Sequence, residues 1–303
     1  MQDSTDPIAA LVEHGGVLAV IAGTEGPSYR TVGTMMACLP SGQTIGSLSS
    51  GCIEADVVRH AEQVIETGGS KILRYGRGSP YRDISLPCGG GLDILLVPNP
   101  DVTALSDILA RRQARENFSI SISLSGNMIT VSNRAEAAPN CDMLVLHESP
   151  ALQVLAIGQG PEVTTFARLC HQVPFATTVL SPDDTALRHT ASLGCAAHQL
   201  VSPILPADLL IDADTAAVLF FHDHDWEPPL LHELLRTDAF YLGAQGSHLA
   251  RQSRNQDLQV FGNTEKDLAR IKAPVGLIKS ARDPQTLAIS VLAEIVSLHK
   301  SAP

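Results

Sequence analysis

The sequence has no surplus of positive charge. Its 21 lysine and arginine residues are outnumbered by 32 aspartate and glutamate residues, so the formal net charge is −11. Basic residues are scattered, and the longest run is the pair Arg111-Arg112. Because an acidic protein repels phosphates at long range, the composition argues against nucleic acid or an anionic membrane as the partner.

Long hydrophobic runs, a secretory leader and paired cysteines are also missing. Apolar stretches such as residues 216–221 are far shorter than the ~20 residues that a membrane-spanning helix needs. Residues 1–7 are polar and acidic, unlike a secretory signal. The six cysteines form no CxxC pair and no Cys/His pair at zinc spacing. These absences predict a cytoplasmic protein with reduced thiols.

The length of 303 residues predicts two domains. We place the boundary at residues 149 and 150, which gives an α+β domain over 1–149 and a second domain over 150–303. In the second half, buried-strand runs such as "LQVLAIG" alternate with amphipathic helices. This alternation predicts a Rossmann-like parallel sheet with helices on both faces, which binds ligands at the carboxyl ends of its strands.

Two cysteines lie in glycine-rich loops, in "GSLSSGCIEADV" and "LPCGGGLDILLV". Cys52 precedes a helix predicted over 53–66, so a thiolate there would gain from the helix dipole and free amides. Glu54 accepts a hydrogen bond or caps that helix. Cys88 is followed by three glycines, which leave its backbone open. These settings favour exposed, functional thiols, whereas the aliphatic neighbours of the other four predict core positions: Cys38, Cys141, Cys170 and Cys195.

Arg30 lies in the turn "TEGPSYRTVG", flanked by Ser28 and Tyr29. Such a guanidinium suits a phosphate or a carboxylate, and a surface salt bridge is the alternative interpretation.

Three loops of the second half also have ligand-binding patterns. Gly158 and Gly160 follow a strand and open a helix, as in phosphate-binding turns, although Val163 and Ser181 stand where the dinucleotide pattern expects a small residue and an acid. The loop "FHDHDWE" contains His222 and Asp223 at a strand end. These side chains suit metal binding or acid–base chemistry, and a polar loop beside a ligand is the alternative interpretation. In "YLGAQGSHLARQSR", Gly243 ends a strand and Ser247 can cap the next helix, whose amides suit an anion. Arg251 and Arg254 then form either an anion contact or a solvated basic face.

Taken in order, these segments resemble the xanthine dehydrogenase accessory proteins, the XdhC/CoxI family. The resemblance extends from about residue 17 to residue 296, and it is most specific in the two cysteine loops and in "APVGLIKSARDPQTLAISVLAEIV". It implies an N-terminal XdhC/CoxI-type α+β domain, a Rossmann-like domain, and a homodimer.

The resemblance also implies a function and a site. Such a protein binds the molybdenum cofactor (molybdopterin), protects it during sulfuration and delivers it to the apo-enzyme of a molybdenum hydroxylase, with a cysteine desulfurase as sulfur source. It would be a maturation factor rather than a catalyst. Cys52 and Cys88 would contact molybdenum or sulfur. The positions matching the family's binding pattern are Arg30, Gly51, Cys52, Glu54, Cys88, Gly89, Gly90, Gly158, Gly160, His222, Asp223, Gly243 and Ser247.

Two other functions fit parts of the pattern. The strand–GxG–helix turn and His222 would suit an NAD(P)-dependent oxidoreductase, but the missing ribose acid weakens a nucleotide as the ligand. A docking protein that has lost its ligand would also tolerate the changed positions of the second half.

Overall fold

A computed structural model of the protein describes residues 6–49, 51–80, 86, 89–133, 142–173, 175–221 and 225–299. The chain divides into two compact units, Met1–Pro150 and Ala151–Pro303. None of the helices in these described ranges has the length and apolar character needed to cross a membrane.

The first unit is an α+β structure built on an antiparallel sheet. Its elements in chain order are α1 (Pro7–His14), β1 (Val17–Glu25), β2 (Met35–Cys38), β3 (Thr44–Gly46), α2 (Glu54–Thr67), β4 (Lys71–Gly76), β5 (Gly91–Pro98), α3 (Val102–Gln113), β6 (Phe118–Ser123), β7 (Ile129–Ser132) and β8 (Met143–Glu148). Five strands pair in the order β3-β2-β1-β5-β4, and three more pair in the order β7-β6-β8. Ser41 and Gly42 lie in the hairpin connection between β2 and β3.

Alternation along β1 buries both faces of the larger sheet. Val17, Ala19 and Ile21 pack in one apolar cluster with side chains of α2. Leu18 and Val20 point the other way, into a cluster with α1, α3 and the smaller sheet. Because successive side chains of a strand face opposite sides, this short apolar run forms the centre of two cores.

The second unit is a parallel α/β structure. Its elements are β9 (Gln153–Gly158), α4 (Gly160–Gln172), β10 (Ala176–Ser181), α5 (Asp184–Ser192), β11 (Ala196–Gln199), β12 (Thr215–Phe220), α6 (Glu227–Leu234), β13 (Tyr241–Ala244), α7 (His248–Val260), α8 (Glu265–Leu268), β14 (Ile271–Lys272) and α9 (Pro284–His299). The strands follow the order β11-β10-β9-β12-β13-β14, and their pairings are parallel. Counted from β9 this is the Rossmann order 3-2-1-4-5-6, so the predicted parallel sheet is confirmed.

Helices cover both faces of this sheet. Val154 and Ala156 of β9 pack with α4 and α9, whereas Leu155 and Ile157 pack with α6 and α7. Asp283 caps the start of α9 by accepting a hydrogen bond from the Thr286 amide at 2.8 Å. Sequence patterns did not predict the short edge strands β11 and β14.

Candidate functional site

Three connections of the first unit leave its larger sheet at the same end. β1 ends at Glu25, and the antiparallel strand β2 begins at Met35, opposite Val20 of β1. β3, antiparallel to β2, ends at Gly46, while β5 begins at Gly91 opposite Glu25. The antiparallel order therefore directs three connections to the same end of the sheet: the Arg30 turn (residues 26–34), the Cys52 loop (described residues 47–49 and 51–53) and the described residues that flank the β4–β5 connection (77–80, 86, 89 and 90).

The turn that contains Arg30 touches the segment that contains Cys88. A Cβ on Gly90 would overlap the carbonyl oxygen of Pro27 and lie 2.9 Å from that of Glu25, so only glycine fits there. Gly89 closes a turn through a hydrogen bond from its amide to Leu86 O at 2.9 Å. Cys88 itself lies outside the described residues.

The Cys52 loop is anchored by apolar side chains and leaves its cysteine in solvent. Leu48 and Ile53 are at most 1% exposed and pack in the cluster below α2. Cys52, which lies between these two residues in the sequence, is an exposed free thiol. The expected contrast with the core thiols is confirmed for the described ones, since Cys38, Cys170 and Cys195 are buried, while Cys141 lies outside the described residues.

The Glu54 carboxylate is the organising group of the Cys52 loop. Oε1 accepts hydrogen bonds from the Ser47 hydroxyl and the Leu48 and Ser49 amides at 2.8–3.0 Å. Oε2 accepts from the Ser49 hydroxyl and the Gly51 and Ile53 amides at 2.7–3.2 Å. Burial alone would raise the pKa of Glu54, but the donors of Ser49 and Ser47 outweigh it and lower the pKa to about 2. Glu54 is therefore ionised and held by its own loop.

The backbone amides just before α2 were expected to be free, but those that the structure describes are hydrogen-bonded within the loop. The Cys52 amide donates to the Ser49 hydroxyl oxygen at 3.1 Å, and the Gly51 and Ile53 amides donate to Glu54. Sequence analysis gave no role to Ser49, which is 5% exposed. No motif spacing identifies it; the only signal is a pair of serines five and seven residues before an acid in a glycine-rich loop.

Arg30 lies exposed in its turn. The turn is closed locally, because the Ser28 hydroxyl donates to Arg30 O at 2.7 Å and accepts from the Arg30 amide at 3.3 Å. Among the residues that the structure describes, the Arg30 guanidinium forms no ion pair, so the surface salt bridge considered for it is not observed there.

The first glycine turn of the second unit packs strands closely together. A Cβ on Gly158 would overlap the Phe220 carbonyl, so glycine is required where β9 meets β12. Gly160 is the first residue of α4. Val163, in the first turn of α4, is fully buried against the sheet.

The end of β10 offers no carboxylate at the position of a ribose-binding acid. Ser181 is fully buried, and its hydroxyl accepts from the Asp183 amide at 3.0 Å. Asp183 in turn caps α5 by accepting from the Thr185 amide at 2.8 Å. Asp184 accepts from the Gln199 side chain at 2.8 Å. These acids stabilise the unit itself.

A cavity lies beside the segment that follows β13. Gly243 is buried within β13, where a Cβ would lie 2.8 Å from the Tyr241 ring. Ser247 caps α7, as predicted, by accepting from the Ala250 amide at 3.2 Å. A cavity of about 350 Å³ lies here, with Ser247 and Lys279 among its lining residues.

The predicted basic face of α7 does not form as a pair. Arg254 is only 2% exposed and forms an ion pair with the buried Glu227 at 2.9 Å. Arg251 instead donates to Ala273 O at 2.8 Å.

The polar loop after β12 falls largely beyond the described ranges. His222 and Asp223 lie outside the described residues. Within the ranges that the structure covers, no group of three or more His, Cys, Asp or Glu side chains could hold a metal ion.

Fold and site together define a two-unit α/β protein: one unit presents an exposed cysteine in a glycine-rich loop, and the other has the Rossmann strand order. Residues 154–295 match the XdhC Rossmann domain, and residues 12–76 match the XdhC and CoxI family. Over 294 residues the chain is 30% identical to the molybdenum cofactor insertion chaperone PaoD of Escherichia coli (strain K12), covering 96% of this chain and 86% of PaoD.

Two further similarities extend over nearly the whole chain. A probable xanthine dehydrogenase component of Bacillus subtilis (strain 168) is 24% identical, with 95% of this chain and 94% of that protein covered. A crystal structure of a xanthine dehydrogenase from Bacillus halodurans superposes with a TM-score of 0.79 at 22% identity, covering 98% of this chain and 97% of that one, and supports the fold. The chain belongs to the XdhC and CoxI family of xanthine dehydrogenase accessory proteins.

Proposed function

We propose that this protein is a maturation factor that binds the molybdenum cofactor, protects it during sulfuration, and delivers it to a xanthine dehydrogenase-type hydroxylase. The similarity to a molybdenum cofactor insertion chaperone over 96% of the chain supports this role. The structural observation that carries the proposal is an exposed thiol, Cys52, in a loop that leaves the larger sheet at the same end as the Arg30 turn and Gly90.

The chemistry of these groups suits the cofactor as cargo. A thiolate is a soft ligand for a metal or for sulfur, and Cys52 presents one to solvent. The exposed Arg30 guanidinium suits the phosphate of a molybdopterin. Gly90 packs against Pro27 of the Arg30 turn, and we propose Cys88, two residues before it in the sequence, as the second sulfur of the site. We assign binding to this end of the first unit, with the second-unit positions Gly158, Gly160, His222, Asp223, Gly243 and Ser247 as a further proposed contact region.

The partners follow from the same role. An apo-hydroxylase receives the cofactor, and a cysteine desulfurase supplies the sulfur. We further propose that the factor acts as a homodimer in the cytoplasm and catalyses no reaction of its own.

The test is cofactor loading of single cysteine variants. The full chain is purified from a cofactor-producing host, and bound pterin is measured by the fluorescence of its oxidised form together with molybdenum content. Cys52→Ala and Cys88→Ala should each lower loading by at least about tenfold, the range typical of lost metal-site contacts. Cys195→Ala, a buried cysteine of the second unit, is the control that should load normally. Full loading of both loop variants would refute the proposal.

The structure gives no support to the NAD(P)-dependent alternative. The end of β10 has Ser181, buried and hydrogen-bonded to the Asp183 amide, where a nucleotide-binding sheet would place its ribose acid.

A further inference from the structure

The side chain of Ser49 occupies an unusual position for a loop serine. It is 5% exposed and lies between the Glu54 carboxylate and the backbone just before α2. Its hydroxyl donates to Glu54 Oε2 at 2.7 Å and accepts from the Cys52 and Ile53 amides, both at 3.1 Å. A single side chain thus links the acid to the backbone of the exposed cysteine.

The backbone donors of this loop are directed inward. The Leu48 and Ser49 amides reach Glu54 Oε1, the Gly51 amide reaches Oε2, and the Cys52 amide reaches Ser49. The Ile53 amide is shared between Ser49 and Glu54. A concave run of amides usually binds an external anion. Here the chain's own Glu54 carboxylate takes the position of that anion. Residue 50 lies outside the described part of the loop.

We propose that Ser49 is a positioning residue for Cys52: with Glu54 it engages the amides around the cysteine, so that the loop offers its ligand a sulfur atom rather than a set of backbone donors. This inference rests on the proposed cofactor-binding function and refines it. The loop then recognises the metal or sulfur end of the cofactor, and the anionic end is bound elsewhere, with the exposed Arg30 guanidinium as the candidate.

The first experiment compares Ser49→Ala with Ser49→Thr in the full chain. Ser49→Ala removes the acceptor for the Cys52 amide, so hydrogen exchange over residues 48–53 should speed up and cofactor loading should fall by about 10- to 100-fold, as for supporting partners of metal ligands. Ser49→Thr keeps a hydroxyl and should restore both. Val64→Ala, which opens a cavity in the same apolar cluster, is the control for lost stability and should load normally.

The outcomes separate this inference from the function on which it rests. Normal loading of Ser49→Ala, or an equal loss in Val64→Ala, would overturn the positioning role. If the wild type carries no pterin, the proposed function fails, and the exchange of residues 48–53 still decides whether Ser49 holds the loop.

A second experiment tests whether the Glu54 carboxylate occupies an anion-binding position in the loop. Glu54→Ala should vacate it, so acetate, which supplies a carboxylate, should raise the Tm of this variant and leave the Tm of the wild type unchanged. An unresponsive, folded Glu54→Ala would contradict the inference. If that variant does not fold, the Ser49 pair decides the question.

Discussion

At the scale of single residues, the described cysteines divide into one exposed thiol and three buried ones. Cys52 is exposed because its neighbours Leu48 and Ile53, rather than the cysteine, fill the core. Burial raises the pKa of the Cys38 thiol to about 12 and also raises the pKa of the Cys170 and Cys195 thiols. A buried thiol with a raised pKa contributes few thiolates at neutral pH, and the thiolate is the nucleophile.

This difference predicts a labelling order. In a brief iodoacetamide pulse at pH 8, Cys52 should react more than about 100-fold faster than Cys38, Cys170 or Cys195. Peptide mapping by mass spectrometry measures each site. Urea-unfolded protein is the control, in which these four thiols should react at similar rates. Rapid labelling of Cys38 or Cys170 in the folded protein would show that burial does not protect them.

At the scale of elements, Tyr241 of β13 connects the sheet to α9 and to the segment before it. Its hydroxyl donates to Glu294 Oε2 at 2.6 Å, and the same oxygen accepts from the Gly276 amide at 2.8 Å. Burial and the neighbouring Glu294 raise the pKa of Tyr241 far above its usual value. The tyrosine therefore stays protonated in the folded state at a pH where the unfolded chain ionises.

The sign of the pH dependence follows from that raised pKa. The stability contributed by the protonated phenol is fully present below about pH 10, the ordinary pKa of tyrosine, and is lost as the pH rises further. Tyr241→Phe should cost about 1–3 kcal/mol at pH 7 through the lost hydrogen bond to a carboxylate. The difference in the free energy of unfolding between the wild type and Tyr241→Phe should become smaller above pH 10. Urea unfolding from pH 7 to 11, followed by the fluorescence of Trp226, measures both, and a constant gap would contradict the prediction.

Elements also show how far the sequence alone could lead. Alternating apolar runs and helices were enough for the parallel sheet, because its central strands β9 and β12 are buried on both faces and form continuous apolar runs. β11 (Ala196–Gln199) is largely exposed and β14 has two residues, so neither leaves an apolar pattern. Arg254 looked like part of a surface stripe with Arg251, and only the fold brings Glu227 from α6 to pair with it.

In the candidate site too, a feature set by neighbouring residues could be predicted from the sequence, whereas a feature set by the folded loop could not. The exposure of Cys52 could be predicted from adjacent glycines. The contact of Glu54 with six donors among the described residues could not be predicted, because it depends on how a loop closes around its own carboxylate rather than on residue type.

At the scale of the whole molecule, the cores are separate. Among the described residues, two apolar clusters lie in the first unit and two in the second, and none contains residues from both. The chain has one tryptophan, Trp226, which stacks on Phe221 in the second unit. Its fluorescence therefore reports on the second unit, whereas far-UV circular dichroism reports on both.

Separate cores predict separate unfolding. Val64→Ala removes two methyl groups from the α2 cluster and should destabilise the first unit by about 2 kcal/mol. In urea, circular dichroism should show that the first unit of the variant unfolds at a lower urea concentration than in the wild type. The unfolding midpoint measured by Trp226 fluorescence should not change. Tyr241→Phe is the reciprocal control and should move the Trp226 transition. If Val64→Ala shifts both signals equally, the two units unfold as one cooperative structure despite their separate cores.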